Sequence, residues 1–121
     1  MSKKQNILLV DDDPDLLRLL SIRLTAAGYK VTLANSGEEA LDRFGTQPPD
    51  LVISDLRMGG MDGLALFDAL HQLDPKLPMI LLTAHGAVEE AVNASHRGVF
   101  GFLSKPFNGK ALLAEVERAL V

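Results

Sequence analysis

The chain contains no cysteine, so neither a disulfide framework nor a thiolate metal site exists in it, whatever the compartment. It also lacks any long apolar run: polar residues 1–6 lead straight into Ile7–Val10, too short a stretch for a signal-peptide core or a membrane span. A cytoplasmic protein without a membrane partner is expected. The three histidines, His71, His85 and His96, have no short metal-ligand spacing. A formal charge of -4 offers no broad attraction for phosphate backbones, so direct nucleic-acid binding by this chain is not expected. Gly59, Gly60 and Gly63 match neither the dinucleotide fingerprint nor a Walker-type phosphate loop. No repeat, low-complexity segment or linker interrupts the chain, and one domain spanning residues 1–121 is expected.

What is present fits that size. A chain of 121 residues, 47% hydrophobic and 23% charged, can bury one substantial core. Short apolar runs recur at Ile7–Val10, Val31–Ala34, Leu51–Ser54, Met79–Leu82 and Val99–Leu103, each followed by a segment with helical spacing. Continuous rather than alternating runs suit strands buried on both faces, so the class is α/β with a parallel sheet covered by helices. Helix signals are explicit. Asp13 caps a helix with Pro14 at its first position, leucines at 16, 17, 20 and 24, and Gly28 as its stop. Ser36 and Glu39 have capping-box spacing for a second helix ending near Gly45. A third follows Asp62 and buries Leu64, Phe67 and Leu70. A fourth, about 87–96, offers only alanines, Val88 and Val92 to a core and is the least firmly held. A fifth follows Asn108 with Leu112, Leu113, Val116 and Leu120.

The polar residues fall at the carboxyl ends of the strands: Asp11, Asp12 and Asp13 after the first, Asp55 after the third, Thr83 after the fourth, and Ser104 and Lys105 after the fifth. Ligands of open parallel sheets bind outside those ends, where the strand order reverses. If the first and third strands are neighbours there, Asp11, Asp12 and Asp55 converge. Three carboxylates in one cleft repel, so their pKa values rise or a cation joins them. An all-oxygen set with few protein ligands fits Mg2+ better than zinc or a closed calcium cage. Three carboxylates and Lys105 sum to -2, which one divalent ion neutralises, so the site can receive a phosphoryl group on Asp55. Thr83 can then donate to a phosphoryl oxygen, and such positioning and neutralisation are most of what phosphoryl transfer requires.

Taken singly, these residues say little. Asp13 reads as a helix cap and not a ligand. Asp11 and Asp12 alone read as loop aspartates ahead of a helix, and Phe102 as a core aromatic. Only the combination at four strand ends is specific. Two other functions use the same parts. A magnesium-dependent phosphohydrolase of the aspartyl-phosphate type would also use Asp55, although Arg57 stands where such enzymes usually carry a second aspartate. A flavodoxin-like cofactor binder is permitted by the fold class but lacks a phosphate-cradling first loop.

The acidic pair after "ILLV", the segment "LVISDLRMGGMDG", then "ILLTAHG" and "GVFGFLSKPF" together resemble the receiver domains of two-component response regulators, over essentially the whole chain. The wording is most similar to NtrC-type regulators of sigma-54 promoters, in particular the GlrR (QseF) group. The resemblance implies a CheY-like, doubly wound sheet in the order 2-1-3-4-5, and a sensor histidine kinase whose phosphohistidine supplies the phosphoryl group to Asp55. It implies Asp12 and Asp55 as direct Mg2+ ligands, Asp11 acting through water, and the main-chain carbonyl of Arg57 as the remaining protein ligand. Lys105 would pair with the phosphoryl group, Thr83 would swing toward it, and Phe102 would turn inward as the switch aromatic. Arg57 and His85 occupy positions that tune access of water to the acyl phosphate. The peptide bond before Pro106 would be cis.

The output face would be the fourth helix, fifth strand and fifth helix, acting on AAA+ ATPase and DNA-binding domains outside this chain, which would be the amino-terminal part of a longer regulator. A phosphorylation-dependent homodimer fits the same family. Catalysis would extend only to the chain's own phosphorylation and dephosphorylation. Two departures stand out: Gly59 where the family usually has proline, implying a looser loop, and Phe102 where many members carry tyrosine, leaving packing alone to report the switch.

Overall fold

The computed structural model describes residues 4–83, 97–105 and 107–121. The fourth expected helix, about 87–96, with His85 and His96, and the bond between Lys105 and Pro106 lie outside them. Five parallel strands, β1 (Asn6–Val10), β2 (Lys30–Ala34), β3 (Leu51–Asp55), β4 (Met79–Thr83) and β5 (Gly101–Ser104), form one sheet in the order β2-β1-β3-β4-β5. The described helices are α1 (Pro14–Ala26), α2 (Gly37–Thr46), α3 (Gly63–Leu73) and α4 (Gly109–Ala119), the last being the fifth helix of the sequence reading. The expected fold class and strand order are both observed.

Two cores separated by the sheet explain why the central strands are apolar throughout. Leu8 and Val10 of β1 join Val52, Leu66, Phe67, Leu70 and Leu81 on the side of α2 and α3. Ile7 and Leu9 join Leu17, Leu20, Leu24, Ile53, Leu82, Leu112 and Val116 on the side of α1 and α4. Successive strand residues point to opposite faces, so every position of β1, β3 and β4 meets a helix layer and is buried. Each such aliphatic side chain contributes about 1.5–3 kcal/mol on leaving water. The edge strands β2 and β5 are only partly covered.

The helix boundaries follow their caps. Asp13 accepts hydrogen bonds from Asp15 and Leu16, and α1 ends before Gly28, whose φ of +101° lies in the left-handed region that glycine tolerates. Ser36 accepts from Glu39 N–H, but the Glu39 carboxylate reaches back to Asn35, one residue beyond the cap, so the capping box is offset. As expected, α2 stops near Gly45, its last residue being Thr46. In α3 Phe67 and Leu70 are buried as expected, but Leu66 joins them in place of Leu64, which is half-buried at the shoulder, because Gly63, Leu66, Phe67 and Leu70 form the inward stripe. β5 begins two residues later than its apolar run. Val99 is buried outside any strand, and Phe100 N–H bonds to Met79 O before the ladder starts. Among the described residues no helix is long and apolar enough to cross a membrane.

Gly63 controls how α3 approaches the end of β3. A Cβ there would lie 2.5 Å from Asp55 O and 2.9 Å from Leu56 Cα, both backbone atoms. Gly63→Ala is expected to cost about 1–3 kcal/mol through overpacking, whereas Gly45→Ala, in open space within α2, is expected to stabilise by about 0.5–1 kcal/mol. Urea unfolding of the two variants checks the opposite signs.

Candidate functional site

The sheet reverses direction of growth between β1 and β3: from β1 the chain crosses to β2 on one side, and from β3 to β4 on the other. The register pairs Val10 with Ser54, so Asp11 and Asp55 follow on adjacent strands at the same level. Asp11 extends the ladder, its N–H donating to Ala34 O at 3.2 Å. One ligand oxygen from each of Asp11, Asp12 and Asp55 lies within 4.8 Å of the others.

Asp11 is buried at 2% exposure, Asp55 at 9%, and Asp12 is exposed at the mouth. Asp11 Oδ1 accepts from Asp13 N–H at 3.0 Å, but Oδ2 is buried without a hydrogen-bond partner. Lys105 Nζ stands 3.2 Å from Asp55 Oδ1 and 3.8 Å from Asp11 Oδ2. Burial pushes the Asp11 carboxyl up from 3.8 to about 6; the Asp13 amide and Lys105 work against this, and the Asp55 and Asp12 charges add to it. A buried carboxylate oxygen without a donor, beside two further hard oxygen ligands, suits a small divalent cation.

The sequence-derived residues do not all meet. Asp11, Asp12, Asp55 and Lys105 come together. Asp13 does not join them: it caps α1, as its spacing implied. Thr83 is buried beside them on β4, and its hydroxyl donates to Leu103 O at 3.4 Å instead of to a carboxylate. Lys105 N–H donates to Thr83 O at 2.7 Å, so the ends of β4 and β5 are tied through the backbone. Arg57 is exposed just beyond Asp55.

Phe102 corrects the reading of it as a core aromatic. It is 39% exposed, because β5 is a sheet edge and alternate residues of an edge strand point away from the core. The sequence reading missed the amide of Gly59, which donates to Asp12 Oδ2 at 3.2 Å across the cleft. Gly59 drew notice as a failed phosphate-loop match and as a departure from the family's proline, and no local pattern reveals which amide will face a carboxylate 47 residues away. Met61 of the same loop packs on Gly37 of α2.

The raised Asp11 pKa has a definite sign. The folded state holds the proton more tightly than the unfolded chain, so this group's contribution to stability falls as pH rises from about 4 through 6. In metal-free buffer Asp11→Asn should therefore be more stable than the parent at pH 7.5, by about 1–3 kcal/mol. The advantage should vanish near pH 4, as read from urea denaturation at both pH values.

Comparison with known proteins agrees with this geometry. The family model described as "Response regulator receiver domain" matches residues 7–117. The chain is 50% identical over 118 residues to the transcriptional regulatory protein GlrR of Escherichia coli (strain K12), covering 98% of this chain and 27% of that protein. It is 45% identical over 112 residues to the DNA-binding transcriptional regulator NtrC of Klebsiella pneumoniae, covering 93% of this chain and 24% of that one. The chain thus spans about a quarter of the length of these relatives. Among solved structures, the receiver domain of NtrX from Brucella abortus superposes with a TM-score of 0.91 at 37% identity, over 94% of this chain and 97% of that one. The chemotaxis protein CheY4 of Vibrio cholerae superposes with a TM-score of 0.92 at 32% identity, over 98% of this chain and all (100%) of that one. The sheet order, the acidic cleft at its switch point and these matches lead to one conclusion: the chain belongs to the response regulator receiver domain family.

Proposed function

We propose that residues 1–121 form a single phosphoacceptor unit in which Asp55 takes a phosphoryl group from the phosphohistidine of a sensor histidine kinase. The observation that carries this reading is the Lys105 ammonium 3.2 Å from Asp55 Oδ1, in a cleft shared with Asp11 and Asp12. Asp55 Oδ attacks phosphorus as the bond to the histidine nitrogen breaks; with a proton on the ring's other nitrogen, the histidine leaves as neutral imidazole and Asp55 becomes an acyl phosphate. Asp55 exchanges one negative charge for roughly two on the phosphoryl oxygens, and Lys105 takes up part of that increment. Asp12, Asp55 and the Arg57 carbonyl would hold Mg2+ directly, with Asp11 acting through water; the orphaned Asp11 Oδ2 and the all-oxygen donor set fit that ion. When bound, Mg2+ supplies charge neutralisation and alignment of the phosphoryl oxygens.

The response would start at Thr83. Its hydroxyl leaves Leu103 O for a phosphoryl oxygen, and the outward Phe102 turns into the space vacated. Phe102 lies in β5 and Thr83 pairs with it at Ser104, and just before this strand Arg118 of α4 lies over the Phe100 ring at 5.8 Å. This strand, with α4 and the segment about 87–96, is the face we assign to output control. The controlled modules would be the AAA+ ATPase and DNA-binding domains of a cytoplasmic sigma-54-type transcription regulator, with a phosphorylation-dependent homodimer as the active form. Chemistry in this chain would be limited to its own phosphorylation and dephosphorylation. We place the kinase on the cavity of about 350 Å³ between α1 and α4, because Lys105 belongs to its lining together with Leu16, Leu19, Phe107 and Leu112. A donor seated there lies beside the Lys105 ammonium that faces Asp55.

Incubation with acetyl phosphate and Mg2+ should add one phosphoryl group, seen by intact mass and mapped to residue 55, and Asp55→Ala should show none. Sustained turnover of unrelated phosphate esters would instead support a hydrolase. Leu19, 65% exposed on α1, separates docking from chemistry. Leu19→Glu should slow transfer from the kinase by about tenfold, as for a central interface residue. Its labelling by acetyl phosphate should match that of the parent.

A further inference from the structure

The loop after Asp55 enters the site through its backbone. Asp12 is exposed, and a short carboxylate at the mouth of a cleft samples several rotamers unless something selects one. Gly59 N–H does so, donating to Asp12 Oδ2 at 3.2 Å. The loop has its own foothold on α2. Met61 packs so closely on Gly37 that a Cβ at position 37 would lie 2.8 Å from Met61 Sδ and 3.0 Å from its Cβ. Gly37 is buried in the first turn of a helix whose cap is hydrogen-bonded. The chain of support runs from the capped end of α2, through Met61, to the Gly59 amide and the Asp12 carboxylate.

Building on the metal reading above, we propose that Gly59 is a positioning residue of the cation site: its N–H fixes one oxygen of Asp12 and leaves the other available as a ligand. Preorganising a ligand removes the cost of ordering it when the ion arrives. The group that matters is the amide. A Cβ on Gly59 would meet nothing within 4 Å, and its φ is outside the left-handed region, so any residue with an N–H suits the position. Proline, the usual residue here in the family the chain resembles, has none, so this hold on Asp12 belongs to the chain's departure from that pattern.

Mg2+ titration of the chain, followed by calorimetry, tests this. Gly59→Ala should bind as the parent does, and Gly59→Pro about 3- to 10-fold more weakly, the range set by ordering one side chain. Gly37→Ala keeps the amide but displaces Met61, and should also weaken binding. A metal-free measurement stands apart from any distortion by proline: in the 1H–15N spectrum, Asp12→Ala should move the Gly59 amide proton upfield. Equal affinities for Gly59→Pro and the parent, an alanine variant as weak as the proline one, or an unmoved Gly59 amide would overturn the proposal. Parent-like affinity in Gly37→Ala would overturn the Met61 support. A parent chain that takes up no Mg2+ would overturn the metal reading itself, an outcome distinct from all of these.

Discussion

Three carboxylates share one cleft at the switch point of the sheet, and two of them, Asp11 and Asp55, are withdrawn from water. Each removal from solvent costs several kcal/mol unless opposite charge or donors replace the lost hydration. The replacements can be named: the Asp13 amide on Asp11 Oδ1 and the Lys105 ammonium between Asp11 and Asp55. They are incomplete, because Asp11 Oδ2 is still without a donor and its carboxyl is pushed up to about 6. A site left short of positive charge in this way is disposed to take up a cation, and then to exchange a carboxylate for an acyl phosphate.

The surrounding structure holds these groups at fixed separation. The β1–β3 register sets Asp11 against Asp55, and the backbone bond from Lys105 N–H to Thr83 O sets the lysine against the same level of β4. Gly63 lets α3 pack on the Asp55 carbonyl, where a side chain would force strand and helix apart. Thr83 and Phe102 are placed differently. The hydroxyl is bonded to Leu103 O and the aromatic ring is 39% exposed on the sheet edge, so neither is tied to the carboxylates.

Much of this was legible from residue order. The apolar runs located all five strands, and Asp13, Ser36, Asp62 and Asn108 are the observed helix caps. Errors arose where local pattern and burial part company. Val99 is buried but is not in a strand, Leu66 rather than Leu64 joins Leu70 in the core face of α3, and Phe102 lies on an edge rather than in a core. An apolar side chain marks what avoids water, not which layer will shield it.

Residue order by itself determined the α/β class, the helix caps and the set of polar residues at strand ends, because these follow from periodicity and from contacts within a few positions of the chain. Tertiary structure decided the rest. Which oxygen of Asp11 is orphaned, how near Lys105 stands to Asp55, that Thr83 turns to Leu103, and that a glycine amide holds Asp12 all depend on register between segments tens of residues apart. Hydrogen bonds and ion pairs act over a few ångströms in space, and separation along the chain does not encode that distance until the sheet has formed.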